Sequence, residues 1–417
     1  MVWGRKKQPV EAYLLVLDIG TSSVKAVIFT VEQNEVQLVS RSECEQLPGS
    51  MRGGMIVDLP NVIEACRAAI DEAIGESGIR LRSVILGVNG QLVEGVTTTV
   101  HYDRAHPDHP LEHSELKNII YKIQQRSSEK LRMALREKFL EEHPDIELIH
   151  ASVTDVQLDG YVVENPVGFQ GKRLSLTIFN VYIPLVYVSI LQNLAQGLGL
   201  EILSIAAEPY GLSKIFATAD PKNEFKDGII IDIGGGTTDI VVVKNGGVEG
   251  IQSFAIGGNA FTQHIKRELG VGWDKAEKTK ISYGDGTLDK RSVKKIGDML
   301  MLDAKVWLNG VELALKEFHE LKILPLRIYL TGGSAPLPEL RRVLLTKEWT
   351  EQLPFAKKPF PLVVKPTDVA GIQFGPDEEL LSQDVPPLAL TKLTLDLTAE
   401  EDVVTNTLQS IVRAMKE

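Results

Sequence analysis

The chain has 417 residues and carries 45 Lys and Arg against 56 Asp and Glu, a formal net charge of −11 at pH 7. This acidic balance argues against a nucleic-acid-binding protein, because no basic excess is available to meet a phosphate backbone. The two cysteines, Cys44 and Cys66, lack paired-ligand spacing, which leaves a disulfide framework or a zinc site unsupported and fits a reducing cytoplasm.

The first part of the chain alternates strand and helix patterns until a section of different character interrupts it. Hydrophobic spacing predicts three strands within residues 12–40, a helix from Asp58 or Asn61 to Ile74 and a strand at 83–89. Residues 90–182 are predicted to form an inserted subdomain. The subdomain contains a long charged helix over 114–142, capped by Ser114, and strands at 93–100, 146–150, 153–158 and 173–179.

The second part begins with a helix, a strand and a helix over 185–218. A strand-turn-strand pattern at 228–243 follows, then a mostly helical region to about residue 320 and a strand at 327–330. Residues 366–399, rich in Pro, Asp and Leu, predict a partly extended linker, and residues 402–415 have apolar residues at helical spacing. The most apolar stretch, 174–194, contains polar residues and a proline, and predicts core rather than a membrane span.

Two short acidic-glycine turns are the most informative feature of the chain. Each follows an apolar run and precedes a run rich in β-branched residues, so each predicts a β-hairpin rather than the strand-to-helix turn of a Rossmann or Walker loop. The first turn contains Asp18, Gly20, Thr21 and Ser22, and the second contains Asp232, Gly234, Gly235, Gly236, Thr237 and Thr238.

The residue types in these turns suit a phosphate group. Glycine lets main-chain N–H groups approach a ligand closely, and Thr and Ser hydroxyls add donors to a nest for phosphate oxygens. Asp18 and Asp232 would hold Mg²⁺ through water, since this ion binds carboxylates, retained waters and substrate phosphates. Two such hairpins facing each other would clamp a triphosphate from both sides, although either turn alone is also compatible with an ordinary hairpin.

Three further segments carry candidate site residues. Glu208 follows a strand and starts a helix. Its carboxylate would orient a water that attacks a γ-phosphate, or would simply be a helix-start carboxylate stabilised by the helix dipole. Glu277 and Lys280 share a helix face, either as ligands of a ribose and base or as a solvated pair. The turn at 332–334 would let an adenine or ribose lie against main chain, or would be a plain strand-to-helix turn.

The order of these segments resembles the actin, sugar kinase and DnaK-type ATPase superfamily and, within it, FtsA, the bacterial actin homologue of cell division. The stretches that carry the resemblance are 53–58, 159–174, 232–240 and 276–284. The run Asn165-Pro-Val-Gly168 is the most discriminating, because FtsA-like proteins carry such a run in an inserted subdomain called 1C.

The resemblance implies an α/β fold of two actin-like (ribonuclease H-like) halves around a nucleotide cleft, with an inserted α+β, 1C-like (SHS2) subdomain in the first half. The implied domains are 1A at 12–89 and 183–224, the 1C-like insertion at 90–182, 2A at 225–259 and 321–365, 2B at 260–320, and a C-terminal tail at 366–417.

The resemblance also assigns roles by position. ATP with Mg²⁺ would be bound by the first and second turns, with Asp18 and Asp232 at the metal, and Glu208 would position the water of at most a slow ATPase. The remaining ligands would be Gly257 and Gly258 on the cleft floor, Glu277 and Lys280 at the ribose and base, and Gly332, Gly333 and Ser334 at the adenosine.

For function, the resemblance implies a cytoplasmic ATP-binding protein that assembles head to tail into filaments and helps to tether the ring of the tubulin homologue FtsZ at the membrane. Two features depart from the FtsA pattern. The charged helix is long, and the C-terminal segment lacks the basic, aromatic-rich character of a helix that binds anionic membranes. That segment would equally dock on the protein's own surface or on a partner. The N-terminal Trp3 and 5–7 would offer a weak membrane contact or form a disordered end.

Two alternatives remain open. A PilM-like cytoplasmic platform for type IV pilus assembly shares the first turn and an insertion in the same place, and would bind a short peptide of a pilus membrane protein in that insertion. A small-molecule kinase of the same superfamily would need an acceptor pocket and a catalytic Asp acting as base, and the sequence identifies no acceptor pocket.

Overall fold

The computed structural model describes residues 13–139, 145–215, 227–375, 379–398 and 403–416. The strands are β1 (Leu14–Ile19), β2 (Ser23–Glu32), β3 (Glu35–Glu45), β4 (Met51–Arg52), β5 (Met55–Ile56), β6 (Ser83–Val88), β7 (Glu94–Asp103), β8 (Ile146–Leu158), β9 (Tyr161–Val162), β10 (Arg173–Pro184), β11 (Glu201–Ala207), β12 (Gly228–Ile233), β13 (Thr238–Lys244), β14 (Gly247–Phe254), β15 (Arg327–Thr331), β16 (Phe360–Val363) and β17 (Ile372–Gln373). The helices are α1 (Leu59–Ile74), α2 (His113–Phe139), α3 (Leu185–Leu198), α4 (Glu208–Lys214), α5 (Gly258–Leu269), α6 (Trp273–Gly284), α7 (Lys290–Lys316), α8 (Pro338–Leu344), α9 (Val385–Thr398) and α10 (Val403–Lys416).

The strands form two large sheets that repeat one local arrangement. The first sheet has the order β11-β6-β1-β2-β3-β17, and the second has the order β16-β15-β12-β13-β14-β7-β10-β8-β9. In the first sheet the antiparallel hairpin β1–β2 has the parallel strand β6 on its other side. The antiparallel hairpin β12–β13 of the second sheet lies in the same way beside the parallel strand β15. Both acidic-glycine turns are therefore hairpin turns, as predicted.

Helix α1 illustrates how local sequence sets the element boundaries. Asp58 precedes the helix and its carboxylate accepts a hydrogen bond from the Asn61 N–H at 3.3 Å, while a proline occupies the first turn. Gly75 ends the helix with a φ of +49°, which glycine adopts readily. The buried face consists of Val62, Ala65, Cys66, Ala69, Ile70 and Ala73. The helical spacing read from the sequence is therefore confirmed.

Three large hydrophobic clusters, and a small one at Leu131 and Tyr182, hold the described residues together. One surrounds the first sheet and includes buried residues of α1, α3 and α9, and a second lies between the second sheet and helices α5 to α8. A third fills the inserted subdomain between helix α2 and strands β8 and β10, and helix α10 contributes to it. No helix within the described ranges combines the length and the apolar character that crossing a bilayer requires.

The inserted subdomain is continuous with the second sheet. Strand β7 pairs with β14 at Val96 opposite Gly250 and at Gly95 opposite Ile251, and β10 and β8 follow. Ser114 is not the cap of α2, because the helix begins at His113 and Ser114 lies within its first turn. The Ser114 hydroxyl instead donates to the Glu112 carboxylate at 3.3 Å. The end of the predicted charged helix, 140–142, lies outside the described residues.

The expectation of a partly extended linker at 366–399 is wrong for residues 385–398. After the short strand β17, the segment folds into helix α9, whose residues Val385, Leu388, Ala389 and Leu390 are at most 1% exposed. This helix packs against α4, β1 and β2. Because polar residues such as Thr391, Lys392 and Thr394 are buried together with the apolar ones, the helix lacks the one-sided hydrophobic spacing by which amphipathic helices are recognised.

The helical spacing predicted for residues 402–415 corresponds to helix α10. Its buried residues are Val404, Leu408, Ile411 and Val412, and they pack in the cluster of the inserted subdomain against α2 and β8. The sequence left open whether this segment docks on the protein's own surface, on a partner or on a membrane. In the structure it packs on the protein's own surface. The basic N-terminal segment at residues 5–7 lies outside the described residues.

Replacing Leu390 with alanine tests whether α9 belongs to the core. Leu390 is fully buried, and its side chain lies against Gly87 and Gly211. Loss of this side chain should lower the free energy of unfolding by about 2–5 kcal/mol, measured by urea denaturation. The matched change Leu313→Ala, in a side chain that is 65% exposed, should cost less than about 0.5 kcal/mol. Equal effects of the two changes would contradict a core position for α9.

Candidate functional site

The first and second turns lie tip to tip. A Cβ added to Gly235 would overlap the Ser22 hydroxyl, and one added to Gly236 would lie 2.8 Å from Thr21 Oγ1. The Ser22 hydroxyl also donates to Asn259 Oδ1 at 3.0 Å. Only glycine allows this approach, so the two hairpins that the sequence places far apart meet at one point.

The two turns close in the same way. The Gly20 N–H donates to the Ser23 carbonyl at 3.0 Å, and the Gly234 N–H donates to the Thr237 carbonyl at 3.0 Å. Gln46 extends the first turn's network by donating from Nε2 to the Gly20 carbonyl at 3.0 Å. The acidic residue that starts each turn is thereby held at the end of its strand, facing the other turn.

Three carboxyl groups converge beneath the turns. Asp18, Asp232 and Glu208 are each at most 5% exposed. Burial and, after it, the neighbouring charges of Asp239 and Asp18 together raise the pKa of Asp232 to about 8 against the opposing effect of Lys25. Burial also raises the pKa of Glu208 well above its usual range, with Asp18 and Asp232 adding to the effect.

Lys25 and Asn89 partner two of these carboxyl groups. Lys25 Nζ lies 3.2 Å from Asp18 Oδ2. Burial lowers the pKa of Lys25, but the nearby Asp18, Glu43 and Glu208 outweigh this and hold the pKa above its ordinary value. Asn89 Nδ2 donates to Glu208 Oε2 at 2.7 Å. The cluster therefore combines these three buried acids with one half-buried cation.

Two carboxylate oxygens in the cluster accept no hydrogen bond from the described residues, Glu208 Oε1 and Asp232 Oδ1. Buried oxygens without a donor are costly, and a hydrated cation would supply what they lack. Across the part of the chain that the structure describes, no three His, Cys, Asp or Glu side chains group closely enough to hold a metal by themselves. The donor set suits Mg²⁺, which keeps several waters and relies on substrate phosphates.

Sequence reasoning missed Asp239. This buried residue lies opposite Asp232 in the β12–β13 hairpin, as Lys25 lies opposite Asp18 in the first hairpin. Its carboxylate accepts hydrogen bonds from the Gly90 N–H at 2.9 Å, from Thr237 Oγ1 at 3.1 Å and from the Ser253 hydroxyl. These bonds tie the second turn to the segment after β6. In the sequence, the only sign of this role is that Asp239 is an acidic residue directly after the second turn.

Helix α5 begins directly against the second turn. The Gly258 N–H donates to the Gly234 carbonyl at 2.8 Å, and the Asn259 N–H donates to the Gly235 carbonyl at 2.8 Å. A Cβ on Gly257 would lie 2.6 Å from the Gly234 carbonyl oxygen. Gly257 and Gly258, which the resemblance assigns to the cleft floor, thus lie beside the second turn.

Lys280 reaches this region from helix α6. Its ammonium donates to the Gly258 carbonyl at 3.2 Å and lies 2.9 Å from Glu277 Oε1. Lys280 is 5% exposed, and burial lowers its pKa while Glu277 raises it. Glu277 is more exposed and accepts a hydrogen bond from the Thr262 hydroxyl. Lys280 therefore belongs to a buried network rather than to a solvated helix face.

The third turn, residues 331–334, lies on the other side of the second turn. Gly332 has a φ of +87°, and a side chain there would strike the Asp232 carboxylate. The Ser334 N–H donates to the Ile233 carbonyl at 3.1 Å, and Ser334 also lies against Gly258. The structure thus gathers the predicted residues of the turns, of α5 and α6, and Glu208 into one region.

Comparisons with known proteins agree with this architecture. The sequence model of the family described as "Cell division protein FtsA" matches residues 229–344. FtsA of Neisseria meningitidis serogroup B is 27% identical, over 70% of this chain and 65% of its own length. FtsA of Bacillus subtilis is 24% identical, over 77% of this chain and 73% of its own length. The resemblance to FtsA is confirmed.

Solved structures show the same fold. The PilM chain in a PilM–PilN type IV pilus biogenesis complex superposes with a TM-score of 0.63 at 17% identity, covering 94% of this chain and 99% of that chain. MreB5 of Spiroplasma citri bound to AMPPNP gives a TM-score of 0.50 at 13% identity, covering 94% of this chain and 98% of that chain. The predicted α/β, actin-like fold is confirmed. The chain spans less than two thirds of the meningococcal relative's length.

The pH dependence of stability tests the electrostatics of Asp232. Its pKa rises from 3.8 to about 8 on folding, so the folded protein keeps a proton that the unfolded chain has lost between these values. The free energy of unfolding should therefore fall as pH rises through this window, by up to about 1.4 kcal/mol per pH unit. Asp232→Asn should remove this part of the slope.

The measurement is urea unfolding at several pH values in magnesium-free buffer, for the wild type and for Asp232→Asn. Asp274→Asn, in an exposed carboxyl of helix α6, serves as the matched control and should keep the wild-type slope. Identical slopes for the wild type and Asp232→Asn would contradict the assigned state of Asp232.

Proposed function

We propose that this chain binds ATP with Mg²⁺ between the first and second turns. The observation that supports this most directly is the tip-to-tip arrangement of two glycine- and hydroxyl-rich hairpins over a set of buried carboxyl groups. Main-chain N–H groups and hydroxyls would meet the phosphates, while the acids and Lys25 lie within reach of a hydrated cation.

Binding requires the turns to separate first. Ser22 touches Gly235 and Thr21 touches Gly236, so the tips leave no room for a phosphate between them. We infer that a nucleotide enters an open form and that the turns then close on its phosphates. The nucleotide state would thereby select between two arrangements of the two sheets.

The three carboxyl groups would have two different roles, at the cation and at a water molecule. Asp18 and Asp232 would hold the water shell of Mg²⁺, which supplies charge neutralisation to the phosphates when bound. Glu208 would orient a water molecule, but burial beside Asp18 and Asp232 raises its pKa, which favours the protonated carboxyl over the carboxylate that acts as a base. Hydrolysis by this site is therefore expected to be slow at most.

At the level of the cell, we propose an actin-like cell-division protein that assembles head to tail and helps to organise FtsZ at the inner face of the membrane. The curated relatives support this role, since they are FtsA proteins from several bacteria. Filament assembly would use different faces of the two sheets, as heterologous contacts do. Helix α10 is docked on the inserted subdomain, so membrane contact through its apolar face would require its release.

The Gly235→Val change tests the nucleotide site. Two added methyl groups would collide with Ser22 and hold the turns apart, so affinity for Mg·ATP should fall at least tenfold, or by about 1.4 kcal/mol. Isothermal titration calorimetry on the full chain measures the affinity, and circular dichroism checks folding. Gly272→Ala is the matched control, because an added Cβ there meets no atom within 4 Å.

An independent variant covers the case in which Gly235→Val does not fold. Asp18→Asn should weaken binding of Mg·ATP more than binding of ATP in EDTA, because it removes charge at the cation. Absence of binding heat for the wild type with Mg·ATP would refute the nucleotide site.

Sedimentation distinguishes the FtsA-like role from the PilM-like alternative, which rests on fold alone. The full chain should pellet with polymerised FtsZ in the presence of Mg·ATP and stay in the supernatant without polymers. The Gly235→Val variant should pellet less, and Gly272→Ala should behave as the wild type. Binding to a peptide of a pilus membrane protein such as PilN, without co-sedimentation with FtsZ, would favour the alternative.

A further inference from the structure

A short segment before helix α9 connects the third turn to the first sheet. We call residues 379–384 the clasp. The clasp residue Ser382 accepts hydrogen bonds at its carbonyl from Thr331 Oγ1 at 3.1 Å and from the Gly332 N–H at 3.3 Å. Its hydroxyl donates to the Gly332 carbonyl at 3.1 Å. One residue thus engages both main-chain groups of Gly332.

The other end of the clasp is fixed to strand β3 of the first sheet. Arg41 Nη1 donates to Asp384 Oδ1 at 3.0 Å, and Arg41 Nη2 donates to the Glu379 carbonyl at 2.5 Å. Gln383 Nε2 donates to Glu43 Oε2 at 2.6 Å. Asp384 is 3% exposed, and a buried carboxylate paired with Arg41 makes a firm anchor.

The clasp also connects to the first turn. The hydroxyl of Ser23, the first residue of β2 after that turn, donates to Glu43 Oε1 at 2.6 Å. Glu43 thus bridges Ser23 on one oxygen and Gln383 on the other. A continuous path of hydrogen bonds therefore runs from the first turn through β3 and the clasp to the third turn.

The second and third turns are tied to each other, because the Ser334 N–H donates to the Ile233 carbonyl and Gly332 lies against Asp232. The clasp moves with the first sheet, to which Arg41 anchors it. Any rotation that separates the tips of the first and second turns also pulls the third turn away from Ser382, unless the axis of rotation passes through the clasp.

We propose that the clasp is a latch: its Ser382 hydrogen bonds hold the first and second turns in contact and break when the site opens to admit or release a nucleotide. This inference rests on the proposed nucleotide site. The latch sets the rate of opening, so it acts on association and dissociation together. A residue that merely shaped the third turn would change dissociation alone.

Stopped-flow fluorescence on the full chain, with Mg²⁺ and an ATP analogue that carries a fluorescent group on its ribose, measures both rates. Ser382→Ala removes one hydrogen bond to Gly332 and should accelerate association and dissociation about fivefold each. Thr331→Val removes a second bond with little change of shape, should act in the same direction, and serves if Ser382→Ala does not fold.

Ser40→Ala is the matched control. Ser40 is also half-buried and donates to a main-chain carbonyl, that of Ala73 at 2.7 Å, but this bond lies within the first sheet and its helix. Both rates should stay at the wild-type value. A rise in dissociation alone, or no change in either rate for both clasp variants, would overturn the latch.

Hydrogen–deuterium exchange of the nucleotide-free protein tests the latch separately from nucleotide binding. Ser382→Ala should speed exchange in the third turn and also in both tips, 20–23 and 234–237, because the tips separate more often. Faster exchange confined to 331–335 would overturn the latch. If the wild type binds no nucleotide, the proposed site fails, and this exchange pattern still decides whether the clasp holds the turns together.

Discussion

The contact between two hairpin tips organises the region around it. Gly235 and Gly236 carry no side chain where Ser22 and Thr21 approach, and this absence lets two sheets from distant parts of the sequence meet closely. Everything else in the region is arranged around that meeting point. The carboxyl groups sit at the strand ends behind the tips, α5 starts against one tip, and the third turn closes the side.

This arrangement has an electrostatic consequence. Four buried acids, Asp18, Glu208, Asp232 and Asp239, lie close together with the half-buried Lys25 beside Asp18, so the described side chains do not neutralise the cluster. Burial among these charges raises the pKa of Asp232 to about 8 and raises the pKa of Glu208 as well, which favours the protonated form of both groups. A bound cation would favour the ionised forms instead. Protons and metal ions are therefore expected to compete for the same oxygens.

Much of this region was readable from the sequence because its signals are local. An apolar run, an acidic-glycine turn and a β-branched run specify a hairpin within about sixteen residues, and the repetition of that pattern suggested two facing turns. Hydrogen-bond partners that are far apart in the sequence could not be predicted from it. Asp239 contacts Gly90, and Ser382 contacts Gly332, across long sequence separations that leave no periodic trace.

Helix α9 was missed for a related reason. It packs against α4, β1 and β2, and its polar residues Thr391, Lys392 and Thr394 are buried with the apolar ones, so the sequence has no separate polar face to mark its period. Helix α10 has such a face, and its spacing was recognised. Its docking place was not readable, because the face that receives it is assembled from α2 and β8.

The pairing of β7 with β14 connects the inserted subdomain directly to the second sheet. The insertion interrupts the chain between elements of the first sheet, yet its strands extend the second sheet by main-chain hydrogen bonds. A force applied to the insertion would therefore pass along the hydrogen-bonded strands β10, β7 and β14 to β13 and the second turn. Tension from outside would reach the interior of the molecule by this route without passing through a flexible joint.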